Sequence, residues 1–482
     1  MMDEKKSQEG LIAKKNENFT EWFTQLMIKS KLADYTDISG CIVLRPASYS
    51  IWEKIIEETN KEFKKIGVEN GYFPLFIPEK LLSKEEDHVK GFAPEVAWVT
   101  QAGKTKLNER LAVRPTSEAI IYPSYSKWIR SWRDLPLIFN QWCNVVRWEF
   151  NNPVPFFRTR EFLWNEIHSV FSTKEEAIIH GEKVIKAYNK ITEGLMAIPG
   201  IYGQKTENEK FAGAVFTKKV HTYLQNGRVI EGVCFHYDGE NFAKAYGIKF
   251  QDKNGEEKYA HQNTHAITTR MLGTMFALHS DDKGLVIPPK MATNKIVIIP
   301  LIFKGKEKEV LEKSREIKKM LSKFNPILDE TENSPGRKFA QYELNGIPIR
   351  IEIGPKEIEK KEVGIKLRNE KEKIKIKEHD LLKKIPDLLE KMQKTLYENA
   401  KKILEENQKK TDKKSEMIKF VNEKQIVKIP LKNSVEVEEN LKSETGGAKV
   451  LFIDPKNESI EGKKCIISGE PADYWVYIGK TY

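Results

Sequence analysis

The stretch from Gln141 to His168 restricts the possible folds of this chain more than any other. Gln-Trp-Cys-Asn-Val-Val-Arg-Trp-Glu-Phe and Phe-Phe-Arg-Thr-Arg-Glu-Phe-Leu-Trp-Asn-Glu-Ile-His are both β-rich, and Asn-Asn-Pro-Val-Pro lies between them as a turn cluster. That pattern predicts an antiparallel hairpin with a long loop. Side chains alternate with period two, so Arg147 and Glu149 share a face of the first strand and Arg158, Arg160, Phe162 and Trp164 share one on the second. One face then carries guanidinium groups, a carboxylate and aromatic rings. Arg forks match phosphate oxygens, a carboxylate accepts from an exocyclic amine, and a ring stacks on a base, so these are the parts that hold a nucleoside triphosphate. The alternative, a structural hairpin with cross-strand ion pairs, accounts less well for the spacing.

At ~150 residues per domain, 482 residues suggest about three domains, and a 39% hydrophobic share lets each bury a core. The 81 Lys+Arg against 70 Asp+Glu leave a formal net charge of +11, which suits a polyanionic partner or simply a Lys-rich soluble surface. Four scattered cysteines, Cys41, Cys143, Cys234 and Cys465, argue against a disulfide framework and for a reducing compartment. The N-terminus is too charged to open a signal peptide, and the longest apolar run, Ile296 to Phe303, is far short of a ~20-residue span. The expectation is a soluble, cytoplasmic protein with no membrane partner.

From about Asn18 to Pro289 amphipathic helical stretches mix with aromatic-rich alternating segments, as in one large α/β or α+β domain. After Pro288-Pro289, an apolar strand near Ile296, a helical stretch from Lys306 to Phe324 and a strand over Ile347 to Ile353 predict a small α/β domain. Between Lys356 and Lys424 lie 21 basic and 15 acidic side chains, more than half of the basic excess. Within it Ile385, Leu389, Met392, Leu396, Ala400 and Ile403 mark an amphipathic helix with Pro386 near its start. Short strands and turns from Lys424 to Tyr482 form a third unit. Gly103-Lys104-Thr105 is no phosphate loop, because Trp98 stands where the first glycine is needed. Lys323 lacks the His-x-Gly-His partner of a class I synthetase.

Arg147-x-Glu149, a loop, then Arg158-x-x-x-Phe162-x-x-x-Glu166 resembles motif 2 of class II aminoacyl-tRNA synthetases. Gly71 to Pro78 resembles motif 1, and Thr268-Thr269-Arg270 opening an apolar helix through Gly273 and Ala277 resembles motif 3. Gly91 to Trp98, Arg114-Pro-Thr-Ser-Glu118, Arg158 to Trp164, Glu209-Lys-Phe-Ala-Gly213, Ser334-Pro-Gly336, Gly346 to Arg350 and a final Tyr482 are similar to prolyl-tRNA synthetases of the archaeal and eukaryotic type. The resemblance implies an α+β class II catalytic domain with an antiparallel sheet over 1–290, an α/β anticodon-binding domain over 291–390, and a helical linker with a small α+β C-terminal domain over 391–482. It implies a homodimer that joins L-proline to proline tRNA through prolyl-adenylate, using ATP and magnesium. By family position Arg147 bridges the proline carboxylate and the α-phosphate, Glu149 reads the adenine amine, and Phe162 stacks on adenine. Arg158, Thr159, Thr268 and Arg270 hold the triphosphate; Glu231 and Cys234 complete the nucleotide site, Glu231 as a magnesium ligand. Thr116 and Glu118 take the proline ammonium, and Trp164, His168, Phe211 and His236 wall the ring. Arg147 and Arg270 are the expected catalytic pair, and Glu343, Arg350 and Arg368 the expected tRNA contacts.

Several residues depart from the family pattern. Ile167 stands where glycine is usual, which removes backbone room; His265-Ala266 replace Trp-Gly; and Glu231 and Cys234 replace glutamine and threonine. A carboxylate at 231 is a harder ligand for magnesium than an amide, and a thiol at 234 bonds less well than a hydroxyl. A pocket changed by a methyl or two shifts selectivity by only ~1–3 kcal/mol, so proline stays favoured over alanine or cysteine. The four C-terminal zinc cysteines of related enzymes are replaced by Lys432, Val437, Cys465 and Ile467, so no zinc is expected. The competing readings are a paralogue that activates another small amino acid and a non-catalytic RNA-binding relic.

Overall fold

The structure, a computed structural model, describes residues 10–88, 95–149 and 152–482. Gly91 to Pro94, within one stretch that carries the resemblance, lie outside the described residues, as do Phe150 and Asn151 of the hairpin loop. Amphipathic helices α1 (Phe19–Lys29) and α2 (Pro46–Lys64) bury Trp22, Leu26, Trp52 and Ile55 in the main core. After them come β1 (Glu69–Asn70), α3 (Glu118–Trp128), and the expected hairpin, β2 (Leu137–Val146) and β3 (Glu161–Phe171). The hairpin pairs antiparallel from Leu137↔Val170 to Val146↔Glu161. Both strands are shorter at the loop than alternation alone suggests, so Arg147, Glu149, Arg158 and Arg160 fall beyond the ladder.

Helix α4 (Lys174–Thr192) opens with a capping box between Thr173 and Glu176. Strands β4 (Ile201–Gln204), β5 (Phe216–Tyr223), β6 (Arg228–Gly239) and β7 (His261–Thr268) follow, then α5 (Arg270–His279). The order β5-β6-β7-β3-β2-β1 makes the catalytic sheet, antiparallel except for the short β1/β2 pair. Helix α4 packs on one face so closely that a Cβ on Gly181 would lie 2.2 Å from the Phe235 ring. The other face carries the site. Helix α5 has little room against the hairpin loop either: a Cβ on Gly273 would meet Phe156 at 2.5 Å.

The second unit is a five-stranded sheet in the order β9 (Ile327–Leu328), β8 (Ile296–Pro300), β10 (Ile349–Ile353), β11 (Glu362–Leu367), β12 (Lys373–Lys377). Helix α6 (Leu381–Glu406) begins inside this unit, five residues before Pro386, so a domain limit at 390 cuts through a continuous helix. Its first half buries Leu381, Ile385 and Leu389 in the second core, while Ala400 reaches the main core.

The last unit is not a separate body. Strands β13 (Gln408–Lys410), β14 (Ile426–Leu431), β15 (Lys449–Ile453) and β16 (Tyr474–Thr481) form a sheet that joins the catalytic one, because β16 pairs parallel with β6 at Arg228↔Lys480 and Val229↔Thr481. At the places of the family's zinc cysteines, Val437 and Cys465 are buried in one apolar cluster, Ile467 packs against it, and Lys432 pairs with Glu470.

Candidate active site

The exposed face of the catalytic sheet floors a cavity of about 490 Å³. Register arranges its floor in rows. His236, Thr264 and His168 are cross-strand partners in one row, and Lys219, Cys234, Ala266, Glu166 and Gln141 form the next. Thr268 and Trp164 lie in a third, beyond which stand Phe162, Arg147 and Arg270.

The first two rows form a hydrogen-bonded network. Glu166 accepts from Gln141 Nε2 at 3.1 Å, from the Ser117 hydroxyl, and from His168 Nε2 across 3.0 Å; Tyr122 Oη lies 3.1 Å from His168 Nδ1. Burial works against both charges, yet the bonds from His168, Ser117 and Gln141 hold the Glu166 carboxyl below its ordinary range, and Glu166 in turn raises His168. Both shifts favour the ionised pair. Glu118 opens α3, accepts from the Thr116 hydroxyl, and comes with Glu166 and His168 to within 4.8 Å. Phe211 packs on His236 with ring centroids 4.7 Å apart, and burial, then Lys219, pushes His236 down to about 3, so that ring is neutral. A carboxylate, a hydroxyl and an aromatic wall suit a small ammonium-bearing ligand. Behind them the Asp238 carboxyl is buried with both oxygens unpartnered among the described residues, and burial raises it well above its ordinary range.

The other end is cationic. Arg147 donates Nε to the Pro115 carbonyl at 2.9 Å and spreads over Phe162 and Trp164 at 5.5 and 5.3 Å. Arg270 donates Nε to the Phe157 carbonyl at 2.9 Å and Nη1 to the Glu231 carbonyl at 3.3 Å. Arg158, Thr159 and Thr268 line the same end. Phe157 is itself backed by Tyr482, whose ring stacks on it at 4.7 Å and 2°.

Every site residue expected from sequence for ATP or proline lines this cavity except Glu149, which lies in the turn after β2 with Oε2 buried and unpartnered among the described residues. Three expectations change. Arg160 turns away from Arg158 to stack on Trp148 at 4.7 Å and to bond the Ser39 carbonyl, because residues 158–160 precede the strand. Glu231 is no open magnesium ligand: its two oxygens take Lys205 Nζ and Lys219 Nζ, each at 2.7 Å. Arg368 is no base reader either: its guanidinium is buried and bidentate on Asp281 at 2.6 and 2.9 Å, tying the second unit to the residues after α5. Glu343 and Arg350 do share a small cleft, 3.5 Å apart.

One departure from the family pattern also moves out of the pocket. Ile167 is fully buried on the α4 side of the sheet, directly across from His265, which stacks on Phe235 at 4.7 Å. A larger residue at 167 thus faces a smaller one at 265; Ile167 does not line the cavity, whereas His265 does. Cys234, Ala266, Glu231 and His265 are the departures that line the cavity. Sequence reasoning missed Lys219, Thr264, Glu166 as network centre, and Phe157; period two along Thr217-Lys218-Lys219-Val220-His221 was the available signal for Lys219.

A family model described as tRNA synthetase class II core domain (G, H, P, S and T) matches residues 98–279, one described as anticodon binding domain matches 295–388, and one described as prolyl-tRNA synthetase, C-terminal, matches 414–482. A cytoplasmic proline--tRNA ligase of Arabidopsis thaliana is 43% identical over 98% of this chain and 91% of its own length. Proline--tRNA ligase 2 of Bacillus cereus is 42% identical over 99% and 100%. The crystal structure of prolyl-tRNA synthetase from Cryptosporidium parvum, complexed with halofuginone and AMPPNP, superposes with a TM-score of 0.94 at 41% identity, covering 99% of this chain and 100% of that one.

Proposed function

Because the chain belongs to the prolyl-tRNA synthetase family, we propose that its cavity binds L-proline over the first row and ATP beyond the third, and that the two meet over the second. The protein ligates proline to proline tRNA at the expense of ATP. The observation that carries the assignment of residues is the single cavity with a carboxylate network at one end and guanidinium groups at the other.

Glu118 and the Thr116 hydroxyl hold the proline ammonium, and Trp164, Phe211, His168 and His236 enclose the ring. The proline carboxylate then lies beside Arg147. Its oxygen attacks the α-phosphorus in line and pyrophosphate leaves; no side-chain nucleophile is needed. Arg147 and Arg270 are pre-oriented by backbone carbonyls, so they meet the charge growing on the phosphate oxygens without reorganisation. Phe162 stacks on adenine while Arg158, Thr159 and Thr268 hold the phosphates; Cys234 lies at the junction. The terminal hydroxyl of tRNA next attacks the activated carbonyl and AMP leaves. Magnesium accompanies ATP in this family, but Glu231, engaged by two lysines, does not fit as its ligand.

Glu343 and Arg350 contact the anticodon. The protein is a cytoplasmic homodimer, with Tyr72 and Phe76 of the motif 1 segment, 72% and 45% exposed, at the subunit contact. The C-terminal unit holds no zinc; its apolar cluster takes that place. Among the described residues no helix is long and apolar enough to cross a membrane.

Amino-acid-dependent exchange of pyrophosphate into ATP, run with proline, alanine and cysteine, tests the reading. Exchange with proline at the highest kcat/KM is expected. Silence with proline but exchange with another amino acid overturns it in favour of a paralogue, and silence with all favours an RNA-binding relic.

A further inference from the structure

Lys219 belongs to none of the roles assigned above. It sits on β5 and faces the cavity in the row that contains Cys234 and Ala266, between the row that encloses proline and the residues that hold ATP. Rows on one face are about 6.6 Å apart and strands about 4.8 Å, so the row of Lys219 underlies the point where carboxylate and α-phosphate meet. A lysine side chain spans the one strand that separates it from the middle of that row.

A break in the ladder sets its partner. Between Lys219↔Cys234 and His221↔Glu231, β5 contributes one residue, Val220, and β6 two, Gly232 and Val233. The extra residue re-aims β6, so that Glu231 as well as Cys234 reaches the cavity wall. Glu231 then lies between two ammonium groups: Lys205, whose side chain is 1% exposed and which also donates to the Val450 carbonyl, and Lys219, 22% exposed towards the cavity. The nearby His221 ring, 4.0 Å from Glu231, is held neutral by burial and by Lys205, which push it down to about 3. Glu209 lies 3.8 Å from Lys205 and 3.7 Å from Lys449, so three ammonium groups stand against two carboxylates and leave the cluster at +1. Lys205 fixes Glu231, Glu231 aims Lys219, and the surplus charge faces the cavity.

We propose that Lys219 is a further phosphate-binding residue of the activation site, whose ammonium contacts the α-phosphate of ATP and of the aminoacyl-adenylate, held in place by the Lys205–Glu231 pair. The inference rests on the cavity assignment above. It places a fixed protein cation beside the carboxylate that the sequence suggested as a magnesium ligand. Lys219→Met removes the charge but leaves Glu231 paired with Lys205, so no buried carboxylate is orphaned.

The test is calorimetric titration of the full chain with ATP in EDTA, alongside titration with proline. A charge-assisted bond to phosphate predicts roughly 10- to 100-fold weaker ATP binding by Lys219→Met, with proline affinity and melting temperature unchanged and with recovery in Lys219→Arg. ATP affinity equal to that of the wild type overturns the proposal. So does equal loss of ATP and proline binding with a lowered melting temperature, which marks a purely structural lysine. Wild-type protein that binds ATP through Lys219 yet gives no proline-dependent exchange sustains this proposal and overturns the ligase reading.

Discussion

The two ends of the cavity are built in opposite ways. At the amino-acid end Glu166, His168, Gln141, Ser117 and Tyr122 lie on the central sheet, on α3 or at its N-cap and satisfy one another before any ligand arrives. At the nucleotide end Arg147, Arg158, Thr159 and Arg270 stand beyond strand ends, on a loop or at a helix start, and Arg147 and Arg270 bind backbone carbonyls rather than carboxylates. A mutually satisfied network is part of the fold; a ring of cations tied to carbonyls keeps its charge for the ligand. Damage at the first end is therefore expected to cost stability, and damage at the second to cost binding alone.

The largest effect is expected for Glu166→Gln. Removing one partner of a buried pair costs about 3 kcal/mol of unfolding free energy, read by denaturant melts. Glu166 lies below its ordinary 4.5 and contributes above that value; His168 lies above its ordinary 6.5 and contributes below it. The loss should peak between those values and shrink as pH rises through the raised range of His168. A loss that does not vary with pH would mean that the pair is not ionic. Phe162→Ala comes next: loss of stacking of about 1–3 kcal/mol predicts a KM for ATP raised roughly 10- to 100-fold. The KM for proline and the melting temperature should stay in place; a fall in stability would erase the contrast between the ends. The smallest effect is a gain. Burial raises the Asp238 carboxyl well above its ordinary range, so near neutral pH folding carries a cost that Asp238→Asn removes, by about 1 kcal/mol. That gain should fade as pH falls towards 3.8, where the unfolded carboxyl is protonated too.

Legibility of the sequence follows the same division. Residues on the ladder obey period two, so Trp164, His168 and His236 fall where alternation puts them. The same rule already separates Ile167 from Glu166 and His168, and the structure seats it against α4. Arg160 escaped the rule because the strand begins at Glu161. Partners far apart in sequence were not legible: Arg368 meets Asp281 across 87 positions, and Glu231 meets Lys205 across 26. The residues that replace the zinc cysteines were readable, but not the cluster that packs Cys465 with Val437.

The parallel contact of β16 with β6 has a consequence for how the molecule comes into being. The edge of β6 at Arg228 and Val229 waits for a strand about 250 residues later, while two other cores are translated and collapse. During synthesis that edge offers unpaired amides and carbonyls beside apolar side chains, an invitation to pair with another nascent chain. Closing it is a long-range event and a slow one. The enzyme's adenylating sheet thus reaches its full width only late in folding, and its most vulnerable moment comes before the last strand docks.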